Sequence, residues 1–199
     1  MVNRIAISGK ANTGKTTIAK HAKSYLESKD SQKYNTKLAS FADPMKHIAK
    51  LMFPDILLET LWGPSENRER MVVGAMNMEK GCPLAARQLL LDLGKFGREK
   101  SMDVWVNATL KPLEGAISKD KTIVALIDDL RFRNEFDKCR TMGYTLIRIH
   151  RPNNQKIIDD ISETDLDNVP NSAFDHIIYN DEDLDALTLK IEGILDSIL

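Results

Sequence analysis

Val2-Asn3-Arg4-Ile5-Ala6-Ile7-Ser8 runs directly into Gly9-Lys10-Ala11-Asn12-Thr13-Gly14-Lys15-Thr16-Thr17, and a helical pattern follows to about residue 29. An apolar, β-branched run that ends at a glycine and gives way to a helix predicts strand, tight loop, helix. The loop fits Gly-x-x-x-x-Gly-Lys-[Ser/Thr], and its place between strand and helix is the context the motif requires. Gly9 and Gly14 let the backbone turn so that successive N–H groups converge on an anion. The positive end of the following helix adds to the attraction. Expected phosphate contacts are therefore Gly9, Ala11, Asn12, Thr13, Gly14, Lys15, Thr16 and Thr17. Lys15 would neutralise the β and γ phosphates, and the Thr16 hydroxyl would coordinate Mg²⁺.

Working outward, further apolar runs read as strands: Thr36–Phe41, Thr122–Ile127, Tyr144–His150 and the short His176–Tyr179. Most lack strict alternation, as expected of strands covered on both faces. Helical patterns cover about 15–29, 44–52, 83–100, 103–118, 132–142 and 183–199. Alternating strands and helices predict an α/β protein of the P-loop NTPase fold, with a five-stranded parallel sheet flanked by helices. The stretch of about 42–119 is too long for one crossover and reads as an all-helical lobe inserted beside a core of 1–41 and 120–199. The whole is expected to be a single domain. A phosphate loop of this kind also needs an acid at a neighbouring strand end. Ile127-Asp128-Asp129 supplies it without distinguishing its two acids, and Asp129 is the one assigned with Thr16 to the metal.

The 199 residues carry 28 Lys+Arg and 29 Asp+Glu, a formal net charge of −1 that argues against a strongly basic nucleic-acid binder. The balance is uneven: residues 1–151 carry a net +9 and residues 152–199 a net −10. The first part can focus an anionic ligand if its charges converge. No run approaches the 18 apolar residues that a spanning helix needs, and the N-terminal residues lack signal-peptide features. Cys82 and Cys139 stand 57 apart with no CxxC, which reads as two reduced thiols. A cytoplasmic location is expected.

Longer phrases go further. Ser40-Phe41-Ala42-Asp43-Pro44-Met45-Lys46 closes strand two, and Arg87-Gln88-Leu89-Leu90 begins a helix that passes Gly94 and ends near Arg98. Asp103-Val104-Trp105-Val106, Asp129-Leu130-Arg131-Phe132-Arg133-Asn134-Glu135, Ser162-Glu163 and Phe174-Asp175-His176-Ile177-Ile178-Tyr179-Asn180-Asp181 follow in order. Together these resemble the phage-type deoxynucleoside monophosphate kinases, weakest over about 54–82. The resemblance implies transfer of the ATP γ-phosphoryl, with Mg²⁺, to a deoxynucleoside monophosphate, giving the diphosphate for DNA replication in the host cytoplasm. It implies a monomer or homodimer with no stable nucleic-acid binding. Two positions depart from the family pattern, Leu91 where Gln is usual and Lys95 where Thr follows the glycine, so base preference transfers least.

The acceptor is already a phosphate anion, so no general base is needed. The work is to align two polyanions and screen their repulsion, and cations should dominate the site. Lys15 of the loop and Arg131, which the resemblance places at the phosphates through its Asp-x-Arg motif, are the expected catalytic pair. Asp43, Lys46, Arg87, Arg98, Asp103 and Trp105 are the acceptor-side candidates. Asp43, before Pro44, also reads as a helix N-cap, and Trp105 reads either as a stacking surface for the base or as core. Arg87 and Arg98 lie about 20° apart around a straight helix and about 16 Å apart along it, too far to grip one phosphate together. Residues 152–174 hold Lys156, five acids and no arginine. An arginine lid of the adenylate-kinase kind is therefore not expected there, and its role would fall to Arg131, Arg133, Arg148 or Arg151. Two alternatives stand beside this reading: another small-molecule P-loop kinase, of the dephospho-coenzyme A or phosphomevalonate kinase type, and a nucleotide-binding regulator that hydrolyses ATP slowly.

Overall fold

The computed structural model describes residues 3–152 and 160–199; Val2 and Lys156 lie outside them. Elements follow in the order β1 (Arg4–Ser8), α1 (Lys15–Lys29), β2 (Asn35–Ala39), α2 (Asp43–Met52), α3 (Leu58–Trp62), β3 (Met71–Asn77), β4 (Cys82–Ala85), α4 (Ala86–Lys100), α5 (Val104–Lys119), β5 (Ile123–Leu130), α6 (Arg133–Thr141), β6 (Thr145–His150), α7 (Ile161–Thr164), β7 (His176–Tyr179) and α8 (Leu184–Ile198). They fall into two compact units, one of Met1–Phe41 with Leu110–Leu199 and one of Ala42–Thr109.

The first unit holds the five-stranded sheet, in the order β2-β5-β1-β6-β7 with every described pair parallel. The chain leaves β1 toward β2 and β5 on one side and later reaches β6 and β7 on the other. The strand order therefore reverses at β1, and the carboxyl end of β1 is where such sheets bind ligands. One face is sealed by Ile5, Ile7, Val124, Leu126, Ile147 and Ile149 of the strands against Ile18, Ala22 and Leu26 of α1 and Leu187, Ile191 and Leu195 of α8. The acidic tail is used here as well. Asp196 accepts from Lys29 (2.6 Å) and Tyr25, and Glu192 pairs with His21 across α1 and α8.

Register matters at one point. Ala6 pairs with Ile127 but Ser8 pairs with Leu130, so β5 carries one extra residue there. A bulge re-aims the side chains around it, and this one falls at Asp128-Asp129.

The second unit has its own core of Ala49, Ile56, Leu61, Val72, Ala75, Ala86 and Leu89. It is not all helical: β3 and β4 form an antiparallel hairpin, and the helix expected from residue 83 begins only at Ala86. The helix α4 then runs unbroken through Gly94 and Gly97.

Candidate active site

The phosphate loop joins β1 to α1, and its glycines are required sterically. A Cβ on Gly9 would lie 2.6 Å from Thr13 Oγ1 and 2.8 Å from the Ile149 carbonyl oxygen. Gly14, the N-cap of α1, is left-handed (φ 99°) and faces Asn180. Asn12 is the one described non-glycine residue at positive φ (60°), a conformation that asparagine tolerates. Neighbouring elements fix the loop. Asn180 Nδ2, beyond β7, donates to the Thr13 carbonyl at 3.0 Å, and Arg151 Nη1, beyond β6, donates to that of Asn12 at 3.1 Å. Helix α1 starts with no side-chain cap and no acid in its first turn, which leaves its positive end suited to an anion.

Lys15 is buried, with Nζ donating to the carbonyls of Gly9 and Lys10 at 2.6 Å each. Burial, and then Arg131 nearby, lowers its ammonium to about 7, against the pull of Glu163, Asp129 and Asp128. An arriving phosphate supplies the missing counter-charge and favours the protonated form.

The bulge gives the two acids of β5 different partners. Thr16 Oγ1 donates to Asp128 Oδ2 at 2.8 Å. Asp129 accepts from the Ser40 hydroxyl and from Phe41 N (2.7 Å), which ties the end of β2 to β5. The acid beside Thr16 is thus Asp128, not the expected Asp129. A hydroxyl and a carboxylate at one strand end fit Mg²⁺, which takes hard oxygen ligands and keeps several waters, with one or two protein carboxylates. No group of three or more His, Cys, Asp or Glu residues able to hold a metal occurs among the described residues.

Arg131 leaves β5 toward the loop. Its backbone N–H and that of Phe132 are both taken by Glu135 Oε2, at 2.8 and 2.9 Å. Glu135 is buried at the start of α6, and burial, aided by Asp129, pushes its carboxyl up to about 8 while the two N–H donors pull it down. The Asp-x-Arg-Phe-x-Asn-Glu phrase is therefore a clamp on the backbone that carries Arg131. The guanidinium itself meets Glu163, whose other oxygen accepts from Ala11 N at 2.7 Å.

Of the other lid substitutes, Arg148 is a buried brace. It donates to the carbonyls of Leu166 and Val169 and to Asn171, and it lies 4.0 Å from the Phe174 ring centroid. Arg133 pairs with Asp137 along its own exposed helix face. Arg131 and Arg151 remain as arginines placed at the loop.

The acceptor-side candidates all lie in the second unit. Asp43 does not cap α2: the helix starts at Asp43 with Ala42 as N-cap. Its carboxylate instead accepts from Lys46 Nζ at 2.9 Å and from Trp62 Nε1 at 3.0 Å. Lys46 is buried, and the half-exposed Trp62 ring packs edge-on against His47 with centroids 5.0 Å apart. Arg87 is held by Glu69 (2.6 Å) and by the Ser65 carbonyl, while Arg98 lies alongside Gly94. Asp103 precedes α5, and its carbonyl accepts from Asn107 N. Trp105 is core: it is 8% exposed, its Nε1 donates to the Gly94 carbonyl at 3.0 Å, and its ring leaves no room for a Cβ on Gly97 (2.3 Å). The accessible tryptophan beside the Asp43–Lys46 pair is Trp62, which sequence reasoning missed. Its signal was the apolar Leu57-Leu58-x-x-Leu61-Trp62 spacing of a short helix.

The parallel sheet order and the loop between β1 and α1 define a P-loop fold. Residues 99–191 match the family model described as deoxynucleotide monophosphate kinase, which bears out the resemblance carried by the sequence motifs and marks the chain as an ATP-dependent nucleotide kinase. The matched span begins well after the phosphate loop, so loop and match are separate observations. Among solved structures, a dephospho-CoA kinase from Campylobacter jejuni is 18% identical, with 100% of this chain and 98% of that chain covered and a TM-score of 0.50. A shikimate kinase from Aquifex aeolicus is 14% identical, with 98% and 96% covered and a TM-score of 0.44. At 18% identity the likeness to the first speaks for the fold alone, and the second carries no argument. No curated protein matches the chain.

Proposed function

We propose that the protein is a deoxynucleoside monophosphate kinase that transfers the γ-phosphoryl of ATP to a deoxynucleoside monophosphate in the cytoplasm. The observation that carries this reading is the place of the matched span in the fold: it contains Asp128 and Arg131, whose side chains meet Thr16 and, through Glu163, Ala11 of the phosphate loop.

Each side chain then has a task. The loop N–H groups and Lys15 hold the β and γ phosphates, and Arg131 screens charge on the transferred group. Thr16 and Asp128 would hold Mg²⁺, which neutralises phosphate charge when bound. No carboxylate acts as a base, because the acceptor phosphate is already anionic near neutral pH, its second pKa being about 6. In the second unit, Asp43, Lys46 and Arg87 supply polar contacts for the acceptor, with Arg98 and Asp103 as further candidates. Trp62 replaces Trp105 as the aromatic surface for its base.

An ADP-release assay across the four deoxynucleoside monophosphates, their ribose counterparts, dephospho-coenzyme A and phosphomevalonate tests the assignment. Release dependent on at least one deoxynucleoside monophosphate is expected. Release that depends only on one of the last two compounds, or on no acceptor at all, overturns it.

A further inference from the structure

Residues 163–167, part of the acidic stretch that lacks the arginines of a lid, dock on the phosphate loop and the β5–α6 turn. Glu163 sends one carboxylate oxygen to Ala11 N (2.7 Å) and the other to the Arg131 guanidinium, and its side chain is only 8% exposed. Lys10 Nζ pairs with Asp167 Oδ2 at 2.9 Å, and Arg133 N donates to Asp165 Oδ2 at 2.7 Å. Three carboxylates from residues 163–167 thus meet Lys10 and Ala11 of the loop and Arg131 and Arg133 of the β5–α6 turn.

The contact at Glu163 has the chemistry of phosphate binding. A carboxylate offers two oxygens to a backbone N–H and a guanidinium, as a phosphate does. Ala11 N belongs to the loop expected to cradle the nucleotide, and Arg131 is the cation expected to screen it. A nucleotide phosphate and Glu163 cannot both take these donors in this arrangement.

We infer that Glu163 is an internal stand-in for a nucleotide phosphate. It is a positioning residue that keeps Arg131 and the loop paired without nucleotide, and the nucleotide must displace it to bind. The inference rests on the reading of the loop as the ATP phosphate site.

The surroundings suit such an exchange. Downstream, Leu166 and Val169 are buried and their carbonyls are held by Arg148, which anchors the stretch. Upstream, α7 is four residues long, begins on the Asp160 cap and leaves Ile161 exposed. The Lys10–Asp167 pair is about half exposed on both sides, and exposed pairs contribute little. Displacement therefore breaks polar contacts and leaves the apolar anchor in place. It also exchanges one anion for another at Arg131, so the guanidinium is not left buried and unpaired.

Glu163→Gln, which keeps shape and an acceptor for Ala11 N, and Glu163→Ala are compared with the unaltered protein. Calorimetry measures binding of ATP and of inorganic tripolyphosphate, a probe with no base or sugar, and melting is followed without ligand. Both variants should bind both ligands about tenfold more tightly while melting at a lower temperature when free. Opposite signs in affinity and stability would not come from general damage to the fold. Unchanged or weaker binding in variants of a protein that itself binds ATP overturns the stand-in alone. Binding of neither ligand by any of the three proteins overturns the phosphate-site reading, and this inference with it.

Discussion

Asp128 and Asp129 are adjacent in the chain and differ in what they touch. Asp128 takes the Thr16 hydroxyl, while Asp129 takes Ser40 and Phe41 N. Asp128→Asn should lower turnover about a hundredfold or more with melting nearly unchanged, as loss of a charge-placing group does elsewhere. Asp129→Asn should cost about 1–3 kcal/mol of stability, because it disturbs a part-buried carboxylate with two donors. Steady-state kinetics and thermal melts on the same two variants read both effects, and the reverse pattern would return the metal role to Asp129. At this scale the sequence showed that an acid ends the strand but not which one, because a single extra residue in β5 decides where each points. The phosphate loop was legible residue by residue, since its spacing is set by the backbone. Trp105 was not, because a tryptophan that packs on a glycine eleven to eight residues earlier looks the same in sequence as one that stacks on a ligand.

The junction of β5 and α6 shows what a local motif can encode. Glu135 closes the first turn of α6 and at the same time fixes the backbone of Arg131 and Phe132. Its carboxyl is raised from 4.5 to about 8, chiefly by burial. Between those values the unfolded chain has released the proton and the folded protein retains it, so stability falls as pH rises through that window and then levels off. Glu135→Gln removes the titration, so its stability should stay flatter than that of the unaltered protein from pH 5 to 8.5 in denaturant titrations. An equally steep decline in the variant would place the source elsewhere. Helix boundaries were mostly legible from apolar spacing, but the β3–β4 hairpin was not. Met71-Val72-Val73-Gly74-Ala75-Met76 lacks strict alternation and carries a glycine at φ 80°, which hides a strand inside a stretch dominated by helices. The turn at Asn77–Gly81, where Asn77 accepts from Glu79 N and Lys80 N, was the available signal.

Over the whole molecule, the split of charge acquires a structural meaning. The basic residues Lys10, Lys15, Arg131 and Arg151 gather at the loop, and the acidic part reaches that same place through Glu163 and Asp167. Its later acids, Glu192 and Asp196, bind α1. The parallel sheet and the position of the phosphate loop were legible because strand–loop–helix order leaves few topologies open. The docking of the acidic stretch was not, because charge counts do not say which surface a segment covers. Among the described residues no helix is long and apolar enough to cross a membrane. The central claim is that this loop hands a phosphoryl group to an acceptor rather than to water. ATP labelled in its γ-phosphate, incubated with Mg²⁺ and each deoxynucleoside monophosphate in turn, tests it most directly. The account predicts label in the β-phosphate of a deoxynucleoside diphosphate. Label released only as inorganic phosphate, whatever the acceptor, would contradict it.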